Sequence, residues 1–379
     1  MMRFLRTLLL LITCGSFQTT LGQMQLSEES SISLLTCSPG PELHAAFGHS
    51  AIRVKDHYQG LDIVFNYGTF DFEAPNFYLK FLKGELDYFL STSSFVQFAN
   101  YYQYYGRGVT EQKLNLNSTQ KQKLFDALNK ALLPENRFYR YEFLENNCAT
   151  KIPEIISSAT GLKITYADQI NAKTTYRKLI NEYLDPYSWN RFGITLILGS
   201  AVDRLITSTQ TLFLPDYLYE KMGSARLGEE SLIENEKNLV VRYFKSKNNS
   251  FFTSPHFVAI LFLIFSFFRI WPKAPSPILD RLEHLLFGVL SITGIFLVFM
   301  MFGTEHLATK NNFNILWINP LAILGVVYNK RLIWLGLAIS ALFTVIIQIT
   351  GAQEIGTTSI LLAIGLGILY IRRAELTRR

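Results

Sequence analysis

The last third of this chain is a series of apolar runs separated by short basic turns, and no other feature restricts the fold as much. The runs cover residues 251–270, 285–302, 315–328, 332–350 and 357–371. About 20 residues of helix cross the hydrocarbon core of a bilayer, so the runs predict an all-α bundle of about five transmembrane helices. Run 315–328 is short: it is either completed by Phe313 and Asn314 or re-entrant. The basic residues orient the bundle. Arg269, Lys273 and Arg281 flank the first turn, Lys330 and Arg331 the second, and Arg372, Arg373, Arg378 and Arg379 the end, whereas the opposite loops carry only Lys310. By the positive-inside rule all three basic clusters face the cytoplasm, and whatever precedes the bundle lies outside.

The start of the chain agrees on sidedness. Arg3 and Arg6 precede a short apolar run, and Thr20-Leu21-Gly22 offers small residues for cleavage, so residues 1–22 read as a signal peptide. A rival reading makes Leu11-Ile12-Thr13-Cys14 a lipobox with Cys14 lipidated, although Thr13 is larger than the residue usual before that cysteine. The expected organisation is a signal peptide (1–22), a periplasmic domain (23–222), a charged linker (223–250), a transmembrane domain (251–372) and a basic cytoplasmic tail (373–379). The net charge of +6 sits largely at membrane flanks, where it reports topology rather than nucleic-acid binding. No zinc-finger spacing, P-loop or Rossmann glycine pattern is present, and no metal or cofactor is expected.

On the outer side, residues 303–314 form an unusually polar loop, followed by Trp317, Asn319 and Pro320. It reads either as an ordinary loop with an interfacial Trp or as a headgroup or substrate site, with His306 and Asn319 its sharpest members.

Before the bundle, Ser31–Cys37 reads as a strand, and 45–54 with 61–70 as a hairpin. If Asp56 pairs with Leu61, Ala51 lies opposite Asn66 and His49 opposite Gly68. His49 and Asn66 are then diagonal neighbours on one face, and Asn66 fixes the imidazole tautomer; a one-residue slip destroys this arrangement. The run Tyr101-Tyr102-Gln103-Tyr104-Tyr105 reads as half-buried packing or as an acyl-chain wall. Ser118–Leu132 has helical spacing with Thr119 as a candidate N-cap.

Phe47-Gly48-His49-Ser50-Ala51 and Asn146-Asn147-Cys148-Ala149-Thr150 hold the candidate chemistry. A thiol reacts as thiolate, favoured by a helix N-terminus and a nearby base. Asn146 or Asn147 suits an N-cap, and Pro153 suits a first helical turn beginning after Cys148. The bland alternatives are a buried free cysteine with a core histidine, or a disulfide between Cys37 and Cys148. Arg53, Arg177, Asp203 and Arg204 either bind substrate or hold the fold.

Leu34-Leu35-Thr36-Cys37-Ser38-Pro39-Gly40, Phe47 to Val54, Asn66-Tyr67-Gly68-Thr69-Phe70 and Asn147-Cys148-Ala149-Thr150 resemble the Lnb family of bacterial lipoprotein N-acyltransferases. So do Leu198-Gly199 with Asp203-Arg204, Phe213-Leu214-Pro215, and the outer loop with His306, Asn312, Asn314 and Trp317. The resemblance implies an α+β periplasmic domain of circularly permuted papain-like (NlpC-like) fold, similar also to lecithin:retinol acyltransferase, in which histidine precedes cysteine. It implies Cys148 as nucleophile, His49 as base and Asn66 as orienting residue. The substrate-binding candidates are His306, Asn312, Asn314, Trp317, Arg53 and Asn147. The implied activity is transfer of an acyl chain from a membrane phospholipid, through a Cys148 thioester, to the α-amine of a lipoprotein S-diacylglyceryl cysteine. The expected setting is a multi-pass protein of the inner membrane with its catalytic domain in the periplasm. Two other classes stay open: a membrane-anchored cysteine amidase or peptidase acting on cell-wall peptides, and a non-catalytic membrane scaffold.

Overall fold

A computed structural model describes residues 24–167, 174–243, 249–270 and 276–377. The signal-peptide segment 1–22 lies outside the described residues, as do Lys273, Arg378 and Arg379.

The N-terminal part is built on an antiparallel sheet. In chain order its elements are β1 (Ser31–Cys37), β2 (His49–Asp56), β3 (Leu61–Thr69), α1 (Phe77–Lys83), β4 (Asp87–Ser94), α2 (Phe95–Tyr104), β5 (Val109–Leu114), α3 (Ser118–Leu132), β6 (Phe138–Arg140), α4 (Lys151–Thr160), β7 (Ile164–Thr165), α5 (Tyr176–Glu182), α6 (Trp189–Ile197), α7 (Pro215–Gly223), β8 (Arg226–Leu227), β9 (Glu230–Ser231) and β10 (Ile233–Val240). Seven strands lie in the order β10-β5-β1-β2-β3-β4-β6.

β1 is central and apolar on both faces, and the alternation of side chains along a strand sorts it. Ile32 and Leu34 join Ile52, Val54 and Phe65 in a core with Leu124, Phe125 and Leu128 of α3 and Ile152 and Ile156 of α4. Leu35 and Cys37 point the other way, to Ala51, Val64 and, from α2, Phe98 and Tyr102. The β2–β3 hairpin has the expected register, with Asp56 opposite Leu61 and Ile52 opposite Phe65. Asp56 Oδ1 fixes the turn by accepting from the backbone N–H of Tyr58 at 3.0 Å and Gln59 at 3.3 Å. The cap of α3 is Asn117 rather than Thr119, in a capping box with Gln120.

Segment 223–250, expected as a linker, contains the edge of the sheet: β10 pairs with β5. Glu234, Glu236 and Lys237 are exposed along it. Only its ends pack, Ile233 at one and Leu239 and Val240 at the other, so its exposed middle has no apolar alternation to read, and its charges block further pairing.

The C-terminal part holds α8 (Pro255–Ile270), α9 (Pro277–Phe302), α10 (Ala322–Tyr328), α11 (Arg331–Thr350) and α12 (Thr357–Leu376). By length and composition α9, with 26 residues, and α11, with 20, are long and apolar enough to cross a membrane. Run 315–328, read either as completed by Phe313 and Asn314 or as re-entrant, is not one continuous helix. It is a 3-10 turn (Phe313–Leu316), a break at Asn319-Pro320 and the seven-residue α10. Pro320 cannot continue a helix, because it lacks an N–H and its ring clashes with the preceding turn. Backbone groups at the break find side-chain partners: Ser340 Oγ donates to Leu316 O at 2.8 Å, and Ile323 N donates to Ser291 Oγ at 2.8 Å. At the far end of the bundle, Arg269, Arg372 and Arg373 surround Asp280 and Glu283. Arg373, expected to open the basic tail, thus lies within α12.

The two parts meet along a backbone seam. Gly199 N donates to Ala308 O at 2.9 Å and Ser200 N to Asn311 O at 3.0 Å. A Cβ on Gly199 would run into Lys310 O. Gln353 Nε2 adds a bond to Leu198 O at 3.1 Å.

Candidate active site

Cys148 sits in the turn that leads into α4. Asn147 Oδ1 accepts from the N–H of Ala149 at 2.8 Å and of Thr150 at 3.0 Å, while its Nδ2 donates to Phe143 O at 2.6 Å and Phe213 O at 2.8 Å. Asn147 is 2 % exposed, so this amide locks the turn in one geometry. The helix itself begins at Lys151, with Pro153 in its first turn. The backbone N–H groups of Ser50, Cys148 and Ala149 are directed at the thiol sulfur and favour its thiolate, but burial outweighs them and holds its pKa above the ordinary value.

His49 opens β2, opposite Cys37 of β1. Its Nε2 lies 3.3 Å from Asn66 Oδ1, across the hairpin. Asn66 Nδ2 faces Val64 O at 3.4 Å and Ser93 Oγ at 3.5 Å, which orients the amide with its oxygen toward the ring. An amide oxygen only accepts, so Nε2 carries the proton and Nδ1 is left as the basic nitrogen. Burial lowers the imidazole pKa to about 4, against the stabilising Asn66 bond, and the ring is neutral near pH 7.

Gly68 lies beside Cys148 in a left-handed backbone conformation. Its φ is +88°, and a Cβ there would be in ordinary contact, 3.5 Å, with Cys148 Cβ. The β3–β4 register shifts between Asn66 and Thr69, so the strand bulges beside the site. Gly48, just before the histidine, has φ +81°, and a Cβ would come 2.7 Å from Cys37 O.

Cys148, His49, Gly68 and Asn147 line a cavity of about 540 Å³ whose other walls are largely apolar: Phe47, Phe70, Phe81, Leu86, Tyr88, Tyr141, Phe143, Phe213 and Pro215. His306 also lines it. Tyr88 stacks on Tyr141, ring centroids 4.2 Å apart. The aromatic walls were not picked out in the sequence; a glycine inside a strand pattern, Gly68, was the available sign of a close approach.

The other candidates lie elsewhere. Asn312 Nδ2 donates to Leu196 O at 2.8 Å and Ile197 O at 3.0 Å, and Asn314 Nδ2 to Leu196 O at 3.2 Å. Trp317 is buried and donates to Asn314 Oδ1 at 2.9 Å. These three brace α6 against the membrane part and do not line the cavity. Arg53 pairs with Asp62 at 2.7 Å and Glu111 at 3.0 Å and lies 3.4 Å over the Phe95 ring, holding the sheet to α2. Arg177 is fully buried and pairs with Asp203 at 2.7 Å, while Arg204 meets Glu145 at 3.1 Å. Tyr101, Tyr104 and Tyr105 pack tilted and edge-on against one another, away from the cavity. Cys37 and Cys148 are both free thiols. Cys37 is fully buried, and burial pushes its pKa up to about 12.

A family model for the Lnb N-terminal periplasmic domain matches residues 17–182, and one for the Lnb transmembrane domain matches residues 246–378. The two matches describe a membrane protein with a periplasmic part. No curated protein and no solved structure matches the chain.

Proposed function

We propose that this chain, an Lnb family protein by both of its matched regions, is a bacterial apolipoprotein N-acyltransferase of the inner membrane. One observation carries the reading: Cys148 and His49 open into a largely apolar cavity that reaches His306, a residue of the membrane part. A cavity of that size is suited to a small apolar substrate. A peptide substrate, which the amidase reading requires, needs polar partners along its backbone, and this lining offers few.

In the first step His49 Nδ1 takes the thiol proton as Cys148 Sγ attacks the ester carbonyl of a phospholipid. Both groups are neutral beforehand, so proton transfer accompanies attack. The backbone N–H groups of Ser50 and Cys148, beside the sulfur, are the donors this reading assigns to the developing oxyanion. The intermediate collapses by breaking the bond to the glycerol oxygen, which takes the proton from the imidazolium and leaves as a lysophospholipid. In the second step the free α-amine of an S-diacylglyceryl cysteine attacks the thioester. Its proton passes to His49 and then to the departing thiolate, leaving an amide and the starting enzyme. The apolar walls limit hydrolysis of the thioester by water.

Cys148→Ala is expected to abolish N-acylation, read by mass spectrometry of lipoprotein N-termini in cells that depend on this protein. Normal N-acylation in that variant overturns the reading.

A further inference from the structure

We propose that α1 (Phe77–Lys83) is an interfacial helix that lies in the bilayer surface and admits a phospholipid acyl chain sideways into the Cys148 cavity. The route to the thiol rests on the acyl-transfer reading above; the insertion of the helix does not.

The helix turns Phe77 into the domain and leaves Tyr78 81 %, Leu79 51 % and Phe81 52 % exposed. Phe72, just before it, is 67 % exposed. Side chains of this size exposed together on a short helix mark a surface that meets something apolar. Its height identifies what. Glu305 N donates to Lys83 O at 2.8 Å, and His306 Nε2 lies 3.0 Å from Phe81 O. Glu305 follows Phe302, the end of the 26-residue apolar α9, by only three residues. Three residues span at most about 11 Å, so the end of α1 is held within a headgroup layer of the end of α9. Phe302 is itself 78 % exposed, and Lys80 and Lys83 place two cations on α1 where phosphates lie. A lipid surface fits both the apolar side chains and the cations.

The same helix opens the way inward. An unbroken row of rings runs from the exposed Phe81 to Phe77 (6.1 Å between centroids), Phe70 (5.9 Å), Tyr88 (5.3 Å) and Tyr141 (4.2 Å). Tyr141 ends the row beside Gly68, which faces Cys148. Phe81 thus belongs both to the surface and to the cavity wall. Gly84 lets the membrane loop close on the helix: its φ is +73°, and a Cβ would meet the His306 ring at 3.3 Å.

The test uses the full chain in vesicles of phosphatidylethanolamine and phosphatidylglycerol. In a Cys148→Ala background, an environment-sensitive dye is placed on Leu79→Cys or, as control, on Tyr58→Cys in the β2–β3 turn. Doxyl-labelled lipid is expected to quench the dye at position 79 roughly threefold more than at position 58; equal quenching overturns the insertion. Separately, the double variant Tyr78→Asp/Leu79→Asp, with Cys148 intact, is expected to form the phospholipid-derived thioester roughly tenfold more slowly, with unchanged labelling by iodoacetamide. Normal thioester formation in that variant overturns the entry route. Absence of any thioester in the unmodified chain, with the dye quenched, overturns the acyl-transfer reading and its route while leaving the inserted helix in place.

Discussion

His49 is an imidazole kept neutral by its surroundings, and that has a measurable consequence. Its folded pKa of about 4 lies below the ordinary 6.5. Above pH 6.5 neither the folded nor the unfolded state binds a proton there, so stability does not depend on this group. Below it the unfolded chain binds the proton first, and stability falls until the folded pKa is reached, by roughly 3 kcal/mol in all. Thermal unfolding in detergent between pH 7 and pH 4 is expected to show this loss in the unmodified chain and a smaller one in His49→Gln. Asn66 acts on the same ring as a positioning residue. Asn66→Ala frees Nε2 and lets the tautomer with the wrong basic nitrogen form. It is expected to slow thioester formation about 10- to 100-fold and to change the pH–rate profile, without lowering the melting temperature comparably. Gly48 carries a different constraint. With φ +81° and Cys37 O 2.7 Å from a would-be Cβ, Gly48→Ala is expected to cost about 2 kcal/mol or more in the same unfolding assay.

Among elements, the contrast is between charges on an edge strand and charges inside a bundle. Glu234 of β10 pairs with Lys113 at 2.9 Å, and both side chains are substantially exposed. Glu283 of α9 is 2 % exposed and takes Arg269 at 2.6 Å and Arg372 at 3.1 Å, so it ties α8, α9 and α12 together. Glu283→Ala leaves buried arginines short of a partner and is expected to cost about 3–5 kcal/mol, while Glu234→Ala is expected to cost under about 1 kcal/mol. Calorimetry of the two variants in one detergent compares them directly. The same logic explains what the sequence hid. β10 has no alternation because only its ends pack, at Ile233 and at Leu239 and Val240, while its middle is exposed, and arginines in the last turns of α12 look like a topology signal and are also ion-pair partners inside the bundle. The break at Pro320 is written in the chain, but its repair by Ser340 and Ser291 comes from neighbouring helices.

At the scale of the molecule, the seam from Leu196 to Ser200 joins sheet domain and bundle through backbone bonds and the amides of Asn312, Asn314 and Gln353. Gly199 makes that approach possible, and Gly199→Val is expected to lower the melting temperature by several degrees, as a loss of 1–2 kcal/mol does in a chain of this size. The sequence alone determined the elements whose burial is periodic: the apolar runs of the bundle, the two-faced β1, and the hairpin register that sets His49 beside Asn66. It also placed Cys148 in a capped turn. Local spacing suffices there because the same period that makes an element buries one of its faces. The tertiary structure alone decided which polar side chains serve the cavity and which serve the frame. Arg53, Asn312, Asn314 and Trp317 are substrate-binding candidates by resemblance, and their partners here are the carboxylates of Asp62 and Glu111, carbonyls of α6 and the Asn314 amide. The joining of Cys148, the aromatic row and His306 into one cavity is of the same kind. It depends on contacts between separate segments, up to the 225 positions between Phe81 and His306, and no local period encodes those.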